Sequence, residues 1–448
     1  MAHRYFGILP LPDISLICLY TAACVLISAG LAGAGEPAKV FDLTRTIERA
    51  LDVHLRLKLS QDDINAAEAV KNSQRTHFFP TFSTAYQYTR NSDAGRVPFL
   101  GTITPENEYA FVASVRQPLF AGFSILSRYE LAELGLDVAK INEKLVRQNI
   151  IFEANNIYYS FLKAQKLLTV AEDTVKQIEA QTDVARNFYQ VGMTPLNDLL
   201  QAQVELANAK QNLVSTQNNL EAAASNFNTF LRWPVNTPVQ IQDVLVYTPF
   251  EKDLDYCLET AQQNRLELQI ADRRVEIAEK EVKLAKKDYY PTVTLEGNVY
   301  SFGNDWDLAG EEGITDPHRW DIRARAQWNF WEWGRTTHGV KEKLSRLSQA
   351  GYEKSEVQEN LILEVKKAFL KTIETEKNIS TAEKAIEQAK ENLRINQERY
   401  KEQVATTTEV LDAQTLLSRT MTNYYNALYD LKISKAALVR AMGREAME

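Results

Sequence analysis

Phe188-Tyr189-Gln190-Val191-Gly192-Met193-Thr194-Pro195-Leu196-Asn197-Asp198-Leu199-Leu200-Gln201-Ala202-Gln203 is the stretch whose reading decides the fold. Long charged segments with helical spacing run up to it and away from it. Gly192 and Pro195 stand three apart between them, which fits a helix C-cap followed by a stop and a restart. Asp198 opens the next helix, where a carboxylate suits the dipole. The stretch therefore predicts a tight helix-turn-helix tip.

A related tip returns near Tyr400, and the spacing between the two orders the whole chain. Phe79-Pro80-Thr81 recurs as Tyr290-Pro291-Thr292, Tyr189 as Tyr400, Ala202-Gln203 as Ala413-Gln414, and Ala50 as Ala261, always 211 residues later. One offset held at four places implies an internal duplication. The predicted organisation is a secretory signal peptide at 1–34, a first repeat at 36–235, a linker at 236–253 rich in breakers and β-branched residues, and a second repeat at 254–448 ending in a short tail. In the signal region an apolar run spans Ile14–Leu31, and Ala32-Gly33-Ala34 fits a small-x-small cleavage site. The competing reading there is a membrane anchor; a lipid-modified Cys24 is less favoured, because the apolar run continues past it.

Each repeat follows one plan: a helix, two strands, then a long helical hairpin. The first helices are predicted over Leu43–His77 and Leu254–Asp288. Pro80 and Pro291 end them and start period-2 alternation. Phe82, Thr84, Tyr86 and Tyr88 share one face, as do Val293, Leu295, Gly297 and Val299. After polar loops (Arg90–Asn107 and Gly303–Pro317), the return strand Trp320–Phe330 alternates apolar with charged residues, and Tyr109, Phe111, Ala113 and Val115 do the same in the first repeat. Such alternation suits a strand with lipid on one side and water on the other. From Gly122 to Tyr189, and from Gly334 to Tyr400, no proline interrupts a helix of roughly 100 Å at about 1.5 Å per residue. The returning helices carry heptads: Leu199, Leu206, Leu213, Leu220 and Phe227 in one repeat, Val410, Leu417, Tyr424, Leu431 and Leu438 in the other. A second, mostly small column lies three residues on. A seven-residue repeat winds helices together with left-handed supercoil.

Composition narrows the function. The 448 residues carry a net charge of −8, without the basic stripe of a nucleic-acid binder. Cys18 and Cys24 lie in the apolar leader, so Cys257 has no partner for an internal disulfide. The five histidines are not spaced as metal ligands. The acids of Gly303–Asp316 do not fit a calcium loop, and no cofactor or enzymatic chemistry is implied. Four strands cannot close a membrane barrel, because open edges in lipid leave unsatisfied backbone groups at several kcal/mol each. The strands must therefore be shared among copies. Three copies would give twelve, within the even-numbered range of such barrels, with the helices continuing the ring as a hollow cylinder.

The residues also carry a family resemblance. Phe79-Pro80, Gln117-Pro118-Leu119-Phe120-Ala121-Gly122, Phe188-Tyr189-Gln190-Val191-Gly192, Asp198-Leu199-Leu200-Gln201-Ala202 and Tyr400 through Val410-Leu411-Asp412-Ala413 together resemble the TolC-type outer-membrane efflux channels. The resemblance covers essentially all of 40–443. It implies an α+β membrane protein: a homotrimer with a twelve-stranded β-barrel, four strands per chain, in the outer membrane of a Gram-negative cell. An α-helical coiled-coil tunnel would continue it through the periplasm and close at the tips. The implied partners are outer-membrane lipid, a periplasmic membrane-fusion adaptor and an inner-membrane pump of RND, ABC or MFS type, in tripartite efflux or type I secretion. By the same resemblance, Glu409 and Asp412 match paired acids at the constriction, and Tyr400 matches a tyrosine that holds the tip closed. Val191, Gly192 and Met193, with Asp198 beside them, match the tip that adaptors grip. The second tip departs from the pattern: Gln403 stands in place of its glycine and Ala405 in place of its basic residue. The alternative reading is a structural periplasmic coiled-coil or adaptor protein, which leaves the amphipathic strands unexplained.

Overall fold

The computed structural model describes residues 40–97, 101–104, 106–243, 249–308, 310 and 316–446. The signal-peptide reading of 1–34, with Cys24, lies outside the described residues. In chain order the elements are β1 (Val40–Phe41), α1 (Leu43–Val53), α2 (Leu55–Thr76), β2 (Thr81–Arg90), β3 (Gly95–Val97), β4 (Gly101–Thr104), β5 (Asn107–Ala121), α3 (Ser124–Gln190) and α4 (Leu196–Phe230). There follow β6 (Gln240–Ile241), α5 (Leu254–Asn264), α6 (Leu266–Ala285) with a 3-10 turn, β7 (Thr292–Gly303), β8 (His318–Gln327), α7 (Arg335–Lys401) and α8 (Thr407–Ala441).

The offset of 211 runs through these elements. Leu43 and Leu254, Leu55 and Leu266, Thr81 and Thr292, Asn107 and His318, Ser124 and Arg335, and Leu196 and Thr407 are the paired starts. It also runs through the left-handed backbone positions. Gly122 (φ 60°) matches Trp333 (52°), Phe123 (63°) matches Gly334 (84°), Gly192 (74°) matches Gln403 (62°), and Arg232 (62°) matches Gly443 (75°). The turn geometry is thus common to both repeats, while the glycine that eases it sits at only one member of each pair.

Two expectations are corrected. The first helix of each repeat is not continuous. It breaks at His54 (ψ 125°) and at its counterpart Arg265 (ψ 120°), both extended. Neither break has a Gly or Pro to announce it. Arg265 is buried and bonds outward instead: its guanidinium reaches Glu364 at 2.7 Å and the carbonyls of Arg440 and Ala441 at 3.3 and 3.2 Å. These bonds hold the bend against the C-terminal end of α8. The second correction concerns β8, which ends at Gln327, so Trp328 and Phe330 lie beyond the strand. The cause is the neighbour: β7 begins at Thr292, directly opposite Gln327, and among the described residues no further strand position remains to pair with. Short additions also appear. β3 and β4 form a small hairpin in the first polar loop, and β6 of the linker pairs parallel with β1.

The main sheet has the order β2-β5-β7-β8, every neighbour antiparallel. Successive side chains alternate faces, and the register aligns like with like. One row reads Thr84, Ala113, Val299, Trp320, and another Phe82, Val115, Gly297, Ile322. The opposite face carries Ser114, Asn298 and Asp321, linked by hydrogen bonds of 2.7 and 2.9 Å. Arg116 pairs with Glu296 at 3.1 Å and Arg323 with Asp321 at 2.6 Å on that same face. One side of the sheet is therefore apolar and exposed, the other polar and cross-linked. β2 and β8 are both open edges.

The helices form the second body. α3 and α7 are 67 residues each, and α4 and α8 are 35. Along α8 the heptad residues Val410, Leu417, Leu431 and Leu438 are buried, as are Ala413, Ala427, Ser434 and Ala441 of the small column. Small side chains there let the long helices approach closely. No described helix is long and apolar enough to cross a membrane.

Candidate functional site at the two helical tips

Both tips are closed by the same backbone bonds. At the first, Met193 N–H donates to the Phe188 carbonyl (2.8 Å) and Gly192 N–H to that of Tyr189 (3.0 Å). At the second, Val404 N–H donates to the Arg399 carbonyl (2.9 Å) and Gln403 N–H to that of Tyr400 (3.1 Å). This paired closure is the Schellman arrangement, with a left-handed residue at its centre. Gln403 adopts that conformation without being glycine.

The helix starts differ. Pro195 caps α4 with no side-chain bond, and half-buried Asp198 lies in its first turn. Thr406 caps α8, its hydroxyl accepting from Glu409 N–H at 3.3 Å. Glu409 also pairs with Arg399 at 3.2 Å, and the same guanidinium donates to the Val404 carbonyl at 3.2 Å. Arg399 is the residue that sequence reasoning missed. The family resemblance places the basic residue at Ala405 instead. The usable signal was an arginine in the last turn of the preceding helix, where a cation suits the dipole. Asp412 is exposed and has no bonding partner among the described residues, so the two acids are placed on one helix but are not equivalent.

Tyr400 is buried. Thr407 donates to its hydroxyl at 3.0 Å, and the Phe188 ring stacks on it at 5.4 Å. Burial pushes the Tyr400 phenol above its ordinary 10.0; the Thr407 bond acts the other way and the Asp198 charge adds to the rise. Asp198 is thus electrostatically linked to the neighbouring tip. Further bonds join the two hairpins: Thr408 to Gln201 (2.9 Å), Thr415 to Glu205 (3.4 Å) and Gln403 to the Met193 sulfur (3.9 Å). Leu411 packs in one cluster with Val175, Ile178 and Ala202. The structure therefore brings the sequence-predicted tip residues into one packed end. Val191 and Met193 remain exposed on it.

The comparisons with known proteins agree with this geometry. Residues 46–231 and 257–444 match the outer membrane efflux protein family, one segment in each repeat. The outer membrane protein TolC of Salmonella enteritidis is 20% identical over 428 residues, covering 94% of this chain and 85% of the relative. The outer membrane efflux protein BepC of Brucella suis is 20% identical, covering 94% and 90%. Among solved structures, the outer membrane protein VceC of Vibrio cholerae superposes with a TM-score of 0.79 at 17% identity, over 90% of this chain and 96% of that one. The matched family and BepC are efflux proteins of the outer membrane by name, and the reading as a structural coiled-coil or adaptor protein gives way to that family. The chain belongs to the outer membrane efflux protein family and is a TolC-type efflux channel of the outer membrane.

Proposed function

We propose that three copies of this chain close their sheets into one twelve-stranded barrel, continued by the helices as a tunnel that shuts at the tips. The observation that carries the reading is the sheet itself: four strands with one apolar face, one polar face and two open edges. Lipid tolerates such a sheet only when its edges are closed. A trimer satisfies that condition with an even strand number. The apolar rows would face lipid, and the Arg116, Glu296, Asp321 and Arg323 side would face water.

In this assembly Asp412 and Glu409 form stacked carboxylate rings at the constriction and favour cations. Tyr400 works from behind them by fixing the hairpin that carries them. The exposed Val191, Gly192 and Met193, with Asp198 at the next helix start, form the end that a periplasmic adaptor grips. An inner-membrane pump of RND, ABC or MFS type then supplies cargo. The two repeats (36–235 and 254–448) and the 236–253 linker become the six-fold-like wall of the duct. The test is isolation of the full chain from outer membranes. A three-chain complex that conducts ions across a planar bilayer is expected, and a monomer without conductance would overturn the reading.

A further inference from the structure

The polar face of the main sheet carries four arginines, and three of them are held in place. Arg116 pairs with Glu296 at 3.1 Å and Arg323 with Asp321 at 2.6 Å. Arg319 lies over the Tyr300 and Phe302 rings, 4.9 and 5.1 Å from their centroids. Arg325 is the exception. Its side chain is exposed, and no hydrogen bond, ion pair or ring contact joins it to another of the described residues.

The register fixes where this charge stands. Side chains alternate faces along a strand, so Arg325 shares the polar face with Asp321 and Arg323, while Ile322 and Ala324 turn to the apolar one. It lies opposite Thr294, close to the last pair of the strand, Thr292 with Gln327, where the sheet meets the helices. No neighbouring strand position supplies a free carboxylate. Thr294 is uncharged. Glu296, the diagonal neighbour, lies opposite Arg323 and is already paired with Arg116. Glu108 is at the far end of β5, opposite Thr89. On β2 the residues of this face, Thr81, Ser83, Ala85, Gln87 and Thr89, carry no charge. Nor does the strand need an arginine here. The residue 211 positions earlier is Ser114, whose hydroxyl donates to Asn298 at 2.7 Å.

We infer that Arg325 forms a basic collar at the helix end of the barrel lumen and favours anionic solutes in transit there; this rests on the closed trimer proposed above. Three-fold symmetry repeats the guanidinium around the lumen. The uncharged polar face of β2 brings no acid to the edge strand that carries it. The paired arginines and acids cancel within their own rows, so the collar is the uncompensated charge at this level of the sheet. Low-dielectric walls focus such a field into the passage, and the geometry of a guanidinium suits carboxylate and phosphate groups. The duct then carries two charge filters of opposite sign in series, acidic at the tips and basic where the helices meet the barrel. Cargo bearing an anionic group is the class that gains at the second filter.

Reversal potentials of the full chain in planar bilayers, under a potassium chloride gradient, test the collar. Glu409→Ala with Asp412→Ala serves as the background, so that the tip carboxylates do not mask the barrel. On that background Arg325→Gln is expected to lower the chloride-to-potassium permeability ratio, and Arg325→Glu to lower it further. The shift for Arg325→Glu should be several-fold at about 0.01 M salt, where the Debye length is about 30 Å, and should fade at about 1 M, where it is about 3 Å. Arg325→Lys keeps the charge and should keep the ratio. Arg116→Gln with Glu296→Gln removes a neutral pair and should shift the ratio far less than Arg325→Glu. A conducting channel whose ratio is unmoved by Arg325→Glu, or is moved equally at both salt concentrations, would overturn the collar and leave the duct reading standing. Failure of the unmutated chain to form a conducting three-chain complex would overturn both.

Discussion

Tyr189 and Tyr400 hold the same place in the two repeats, yet Tyr189 is 40% exposed and Tyr400 only 3%. The same inversion separates Leu200, 49% exposed, from Leu411, 4% exposed. The backbone of the two tips is shared, down to their Schellman bonds. Their surroundings are not. α8 lies inside the bundle, packed against α7, α3 and α4, whereas α4 leaves one flank free. Within one chain the second tip is therefore covered, with its tyrosine bonded, while Val191, Met193, Leu196 and Leu200 of the first lie outward.

The largest expected break in this comparison comes from truncating the paired leucines. Leu411→Ala removes a buried side chain among Val175, Ile178 and Ala202 and is expected to cost about 2–5 kcal/mol. Leu200→Ala, at the equivalent exposed in the single chain, is expected to stay within roughly 0.5 kcal/mol for the dissociated chain. Denaturant unfolding of the two variants measures the gap, and equal losses would show that the tips are packed alike.

A smaller effect is expected from exchanging the turn residues. Gly192 has open space where a Cβ would sit, so Gly192→Ala meets no clash and costs only its left-handed backbone, about 1–2 kcal/mol. Gln403→Gly removes the same strain and should stabilise its tip by up to about 1 kcal/mol. Native-state hydrogen exchange at Met193 and Val404 N–H, the two closing bonds, reads both. The same sign at both sites would contradict a shared turn.

Smallest is the hydroxyl of Tyr400. Tyr400→Phe removes the bond from Thr407 and should cost about 1 kcal/mol. The pH dependence carries the sharper sign. The folded state raises this phenol above 10.0, so it favours the neutral form. That stability is complete below 10.0 and is lost as pH rises through the raised folded value. Exchange at the second tip should therefore accelerate in strong alkali for the native chain and less so for Tyr400→Phe; identical profiles would remove the phenol from the hairpin's stability.

Much of the architecture could be read from the chain because it is repetitive. The 211-residue offset, the heptads and the strand alternation are properties of pattern, and packing along a long bundle obeys pattern. The breaks at His54 and Arg265 were not legible, because the helical period runs through both and the bend is held by tertiary bonds such as Arg265 to Glu364. The end of β8 was misread for a related reason. Trp328 and Phe330 keep the strand alternation, but a strand needs a neighbour, and neighbours are not written locally. At the tips, Gln403 departs from glycine in the sequence, yet the backbone keeps glycine's conformation. The role of Arg399 is not legible locally, because its partner Glu409 lies ten residues away across the turn.

In the proposed duct the second tip would carry the gate, and the two repeats supply an internal control. Asp198 and Gln201 stand 211 residues before Glu409 and Asp412. Single-channel recording in planar bilayers should show that Glu409→Ala with Asp412→Ala raises conductance or reduces cation preference, while Asp198→Ala with Gln201→Ala, which leaves both of those carboxylates in place, changes cation preference much less. Unchanged conductance and selectivity in the first variant, or the same change in both variants, would contradict it.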